Sequence, residues 1–144
     1  MAILTKPIER YGPLVEVAVN MDERFASKRR AVGLPTVMPH VCLALADTGA
    51  SRSLIDHAVI AALGLESIGL IELATASTGG ERKSSRAFLV RMTIALGARS
   101  MATTVTAVES DLGDFGVGAI LGRDFLARGL LVYNGPSGEF TIAF

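Results

Sequence analysis

The chain is 144 residues long, half of them apolar, with a mean hydropathy of +0.45; this suits one folded domain with a real core and excludes a disordered segment. Fourteen basic residues balance fourteen acidic ones, which argues against nucleic-acid binding driven by phosphate neutralisation and leaves room only for a local basic patch; with no Trp and two distant Tyr no platform for stacked bases is expected. No apolar window is long enough for a bilayer and the first residues lack a signal peptide's apolar run, so the expectation is a cytoplasmic protein without membrane association.

Residues 1–12 read as an N-terminal extension and 13–144 as the domain. In 13–20 (PLVEVAVN) the valines alternate with other residues, the period of a half-buried strand. The charged stretch 21–33 ends in glycine and is followed by Pro35 and Pro39, so 21–40 reads as a long connection in which Lys28-Arg29-Arg30 is solvated. An apolar strand returns over 37–46. It holds the single cysteine, Cys42, which behaves there as a small hydrophobe. With two histidines and no ligand-like spacing, neither a metal site nor a cofactor is expected.

The strand runs into Asp47-Thr48-Gly49-Ala50-Ser51. A carboxylate delivered by an apolar strand into a tight turn of small residues, where backbone crowds close, is a candidate site rather than a solvated charge. Read alone, the same residues also describe a β-turn closed by an Asx bond. A helix follows, capped by Ser53 or Asp56, with Ile55, Val59 and Leu63 at helical spacing and Gly64 at its end.

From Leu65 onward the signals are those of strands. Segments 68–78 and 84–96 flank the polar tip 79–83 and form a hairpin; 101–108 is rich in threonine and valine. A loop at 111–116 leads to the short apolar strand 117–122, and 124–128 can form a helical turn. Strands at 130–133 and 140–144 close the chain, the last apolar to its end and read as an edge suited to a subunit interface. Many short strands with one or two short helices make an all-β domain, closed or barrel-like.

Asp47-Thr48-Gly49 after an apolar strand, a Leu63-Gly64-Leu65 helix end, and then Ile120-Leu121-Gly122-Arg123-Asp124 far downstream together resemble the retropepsin-like, retroviral-type single-domain aspartic proteases. The similarity spans 13–144. It implies an acid-protease β-barrel and an aspartic endopeptidase working on protein or peptide substrate as a homodimer. Asp47 would be the catalytic residue, one per subunit, because one carboxylate must act as base toward water and another as acid toward the peptide carbonyl. Thr48 would lock the pair across the two-fold axis, Gly49 would approach substrate through its backbone, and Ala50 would stay small for clearance, with Ser51 closing the loop. Ile120, Leu121 and Gly122 would back the loop, with Arg123 and Asp124 near the interface. The tip Ser77, Thr78, Gly79, Gly80 and Glu81 would be the flap.

Two departures stand out. Ser51 occupies the place where retroviral members often carry an acidic partner for the arginine, which leaves Arg123 open to Asp124, Asp56 or a backbone carbonyl. The 21–40 segment replaces a short turn. The alternative reading is a catalytically weak or inactive module of the same fold that dimerises or binds peptide. A serine nucleophile at Ser51 with His57 lacks the second glycine of an elbow, and 113–122 has no Lys-Ser/Thr pair for phosphate.

Overall fold

The structure, a computed structural model, describes residues 1–74 and 79–144. In chain order its elements are β1 (Ile3–Pro7), β2 (Leu14–Met21), α1 (Glu23–Ala31), β3 (His40–Ala46), β4 (Leu54–Asp56), α2 (His57–Leu63) and β5 (Gly69–Ala74). They continue with β6 (Arg82–Leu96), β7 (Arg99–Ser110), a 3-10 turn at Gly113–Phe115, β8 (Ala119–Leu121), α3 (Arg123–Leu126), β9 (Leu130–Asn134) and β10 (Glu139–Ala143). Among the described residues no helix is long and apolar enough to cross a membrane.

The alternation read in the sequence builds the core. Val15, Val17 and Val19 of β2 and Phe88, Val90, Met92 and Ile94 of β6 are fully buried every second residue, pointing inward from a ring of strands. That ring runs β2-β3-β8-β4-β7-β6 and closes where β6 also pairs with β2, from Val17↔Ile94 to Met21↔Val90. The result is a closed six-stranded barrel, which leaves no free sheet edge along its circumference. β5 extends the sheet beyond the ring as a hairpin with the first part of β6.

A separate sheet, ordered β1-β10-β9, covers one side. Phe140 and Ile142 of β10 are buried in the common core, and Phe144 meets Phe125 edge-to-face at 5.9 Å. Here an expectation is overturned: the last strand is no edge. β10 is flanked by β1 on one side and β9 on the other, because Ile3–Pro7, within the stretch read as an extension, folds back antiparallel along it (Ile3↔Ala143). The free edges are those of β1 and β9.

Two local features also differ. The 21–40 connection contains α1, whose Asp22 side chain accepts the Arg24 N–H, with Glu23 in its first turn and Lys28, Arg29 and Arg30 in its last. Those charges suit the helix dipole, but none of the helix's residues is buried, so no apolar stripe announced it. And α2 begins only at His57, capped by Asp56, whose carboxylate accepts the Ala58 N–H. Residues 54–56 before it form β4, with Ile55 buried in the barrel. At the other end Gly64 takes φ +58°, which closes α2 in the left-handed conformation glycine adopts freely.

Candidate active site

β3 and β8 lie parallel, with Leu45 opposite Ile120 and Ala46 opposite Leu121. The Asp47 N–H continues this pairing by donating to the Leu121 carbonyl at 3.0 Å. On the far side β8 pairs antiparallel with β4, Leu54 opposite Ile120. The chain therefore leaves β3 at Asp47, passes over the end of β8, and returns as β4 on the other side. On its return the backbone at Arg52 and Ser53 lies directly against Gly122.

This arrangement explains why position 122 is glycine. A Cβ there would lie 2.5 Å from the Arg52 carbonyl carbon and 2.6 Å from its oxygen, with Ser53 N at 2.8 Å. The constraint is space and not torsion, since Gly122 has φ −83°. Gly49 is similarly close to the carboxylate: a Cβ would stand 3.0 Å from Asp47 Oδ1. Its own N–H donates to that oxygen at 2.8 Å, and the Ala50 N–H donates to the Asp47 carbonyl at 3.3 Å. Asp47 and Ala50 are half-buried, while Thr48, Gly49 and Ser51 are exposed.

Two residues behind the loop fasten it. Ser53, fully buried, receives the Gly122 N–H on Oγ at 3.1 Å and donates its hydroxyl to Asp124 Oδ1 at 2.7 Å. The Ser53 N–H donates to both Asp124 oxygens, at 2.9 and 3.0 Å, and the Phe125 N–H donates to Oδ1 at 2.9 Å. One carboxylate thus satisfies three protein donors at the start of α3. In the sequence Asp124 is expected beside the loop, whereas Ser53 carries only the signal of a helix cap. Their 71-residue separation hides the pair.

Arg123 also fastens the loop. Its N–H donates to the Ala50 carbonyl at 2.9 Å, and its guanidinium Nη1 reaches the carbonyls of Thr48 at 2.7 Å and Gly49 at 3.3 Å. Of the partners left open, the backbone carbonyls receive it. Asp56 is occupied elsewhere, accepting the N–H groups of Ala58 and Leu112. Burial raises its titration point, but these bonds outweigh burial and leave the carboxyl below its ordinary value.

The hairpin read as a flap pairs Gly69↔Ala87 through Ala74↔Arg82. Gly79, Gly80 and Glu81 are exposed near its tip, whereas Ser77 and Thr78 lie outside the described residues. At the hairpin's base is a cluster the sequence reading did not find. Glu109 Oε1 and Oε2 accept Arg86 Nη2 and Nε at 2.5 and 2.7 Å, and His57 Nδ1 lies 2.8 Å from Oε1. The bonds from Arg86 hold the Glu109 carboxyl down to about 2, against a smaller opposing effect of burial and with help from His57. His57 is therefore engaged by Glu109 through Nδ1, and no bond from it to a serine occurs among the described residues.

Grooves of about 250 and 220 Å³ flank α1 and share Met21 and Arg29; neither is lined by the 47–51 loop. No group of three or more His, Cys, Asp or Glu that could hold a metal ion occurs among the described residues.

A family model described as Aspartyl protease matches residues 39–125, more than half of the chain, from the residue before β3 into α3. No curated protein matches the chain.

Proposed function

The chain belongs to the aspartyl protease family, of the retropepsin-like kind, and from that premise we propose that it is an endopeptidase whose active site assembles from two copies, each supplying Asp47. The observation that carries the reading is the loop itself. Asp47 is pinned by its backbone to Leu121 and buttressed through Ser53, Asp124 and Arg123, yet Thr48 and Gly49 are exposed in the single chain. A rigid loop with an uncovered face suits a surface that a second copy completes.

The chemistry follows from the count. The sequence contains one Asp-Thr-Gly. Peptide hydrolysis by this route needs a carboxylate to take a proton from water and a carboxylic acid to donate one to the scissile carbonyl. Two carboxyls brought together cannot both ionise, so the pair shares one proton and supplies both roles; aspartic proteases are the general illustration of this rule. Substrate would lie extended, bonded through its main chain, beneath the β5–β6 hairpin. Association through the three-stranded sheet is supported by its apolar periphery: Ile3 of β1 and Leu130, Val132 and Tyr133 of β9 are all more than two-fifths exposed.

Cleavage of a mixed peptide library, with sedimentation of the same samples, tests the proposal. Asp47→Asn is expected to sediment as wild type and to cleave nothing, since an amide oxygen still accepts the Gly49 N–H. Cleavage surviving that substitution, or a wild-type chain that cleaves as a monomer, overturns it. A dimer that binds peptide without turnover would establish the non-catalytic module instead.

A further inference from the structure

The β5–β6 hairpin leaves the barrel at one level. The β6–β7 ladder ends with Ala87 opposite Val108, and Arg86 and Glu109 are the next positions on the two strands. Beyond that point β7 runs beside β4, with Glu109 opposite Ile55, while Arg86 pairs only with Leu70 of β5. Backbone pairing between hairpin and β7 stops there, and side chains carry the tie one position further.

That tie is the Arg86–Glu109–His57 cluster. A bidentate guanidinium–carboxylate pair fixes geometry as well as charge, and this one is tethered at three points. Glu109 is on β7, its side chain only 14% exposed. His57 opens α2 and bonds the same Oε1. The Arg86 guanidinium also stands 5.4 Å above the ring of Phe88, which is fully buried in the core. On the opposite strand, at the same level, Gly69 faces Ala87 with φ +148°, a backbone conformation that side chains other than glycine's rarely allow. A conformationally permissive residue on one strand thus sits beside an ion-paired residue on the other, at the place where the hairpin loses its lateral partner.

We propose that Glu109 is a positioning residue for the lid: with Arg86 and His57 it latches the root of the β5–β6 hairpin, and Gly69 is the hinge about which the hairpin swings when the latch opens. This rests on the reading of the hairpin as the cover of a protease cleft. Hinges of this kind are few residues at element ends, distant from the chemistry, and altering them often changes substrate capture and turnover together.

Amide hydrogen exchange on the full chain tests the latch without requiring activity. Glu109→Gln and Arg86→Lys are expected to speed exchange at 70–74 and 82–86 by about three- to fivefold, the range an exposed ion pair sustains, with barrel amides at 90–94 rising by no more than that factor, as the loss of global stability requires. The charge swap Arg86→Glu with Glu109→Arg is expected to restore most of that protection. Unchanged hairpin exchange in both single variants, or barrel exchange rising while the hairpin's does not, overturns the latch. Where peptides are cleaved, the single variants should raise KM by about threefold with a smaller change in kcat; faster hairpin exchange with both constants unaltered overturns the assignment as a lid. A wild-type chain that cleaves nothing defeats the protease reading, and with it the lid, while exchange alone still decides the latch.

Discussion

Ser53→Ala is the most informative single substitution in the loop support, because it deletes one buried oxygen that serves two bonds. Ser53 is fully buried, and its Oγ accepts the Gly122 N–H at 3.1 Å while donating to Asp124 at 2.7 Å. Without it the buried Gly122 N–H is orphaned, a loss of about 1–3 kcal/mol, and a hydrogen bond to a charged group worth about 1.5–3 kcal/mol is removed. Asp124 keeps the N–H groups of Ser53 and Phe125, so the second loss is partial, and about 2–4 kcal/mol in total is expected. Asp124→Ala strands the N–H and hydroxyl of Ser53, while the Phe125 N–H keeps the Gly122 carbonyl, and should cost at least as much. The two losses share one network, so the double variant should fall short of their sum by about 1 kcal/mol or more. Urea unfolding followed by far-ultraviolet circular dichroism measures all four species, since the chain lacks Trp. Protein concentration must be held constant, because association would add to the apparent stability. Ser53→Ala within about 0.5 kcal/mol of wild type, or strict additivity, would refute the idea that this pair holds the loop.

Gly122→Ala forces a methyl to within 2.5 Å of the Arg52 backbone, and a cost of about 1–3 kcal/mol with displacement of the 47–53 loop is expected; a wild-type thermal midpoint would contradict it. Arg123→Ala frees the Thr48 and Gly49 carbonyls from an exposed guanidinium, so stability should change by under about 1 kcal/mol while peptide cleavage falls about ten- to hundredfold. Acid stability should carry the mark of Glu109. Its carboxyl is held at about 2 against an ordinary 4.5, so its contribution is complete above pH 4.5 and is lost as pH falls toward 2. After allowance for the exposure of His57 and Arg86, Glu109→Gln should cost about 1 kcal/mol at pH 5.5 and close to nothing at pH 2, read from urea midpoints. An equal difference at both pH values would show that the charge is not responsible.

What was legible in the sequence was whatever depends on near neighbours. The alternation of Val15, Val17 and Val19 placed β2 and gave its inward face. Gly64 marked the end of α2, and the glycine-led tip at 79–83 separated the two hairpin strands. Local signals misled where a charge pattern replaced an apolar one. α1 has a cap and favourable terminal charges but buries nothing, so its helical period carries no hydrophobic signal. The three residues of β4 were absorbed into the helix that follows, because a strand that short is specified by its neighbours β7 and β8 and not by its own pattern.

The sequence by itself determined the chemistry on offer: one carboxylate at the end of an apolar strand, small residues after it, and a downstream Ile120-Leu121-Gly122 with an arginine behind. It also determined an all-β chain with enough alternating apolar residues to close a barrel. The tertiary structure decided what holds the loop and what borders it. Ser53 reaches Asp124, and Glu109 reaches both Arg86 and His57, only after the barrel closes. Such pairs join residues 23 to 71 positions apart, and their partners are chosen by register and by the crossing of β3 and β4 around β8. Ion pairs and buried hydrogen bonds leave no period in a sequence, because they depend on distance in space. The same reason moved the last strand from an edge to the middle of its sheet: β10 has a neighbour on each side only because β1, more than a hundred residues earlier, returns to lie against it.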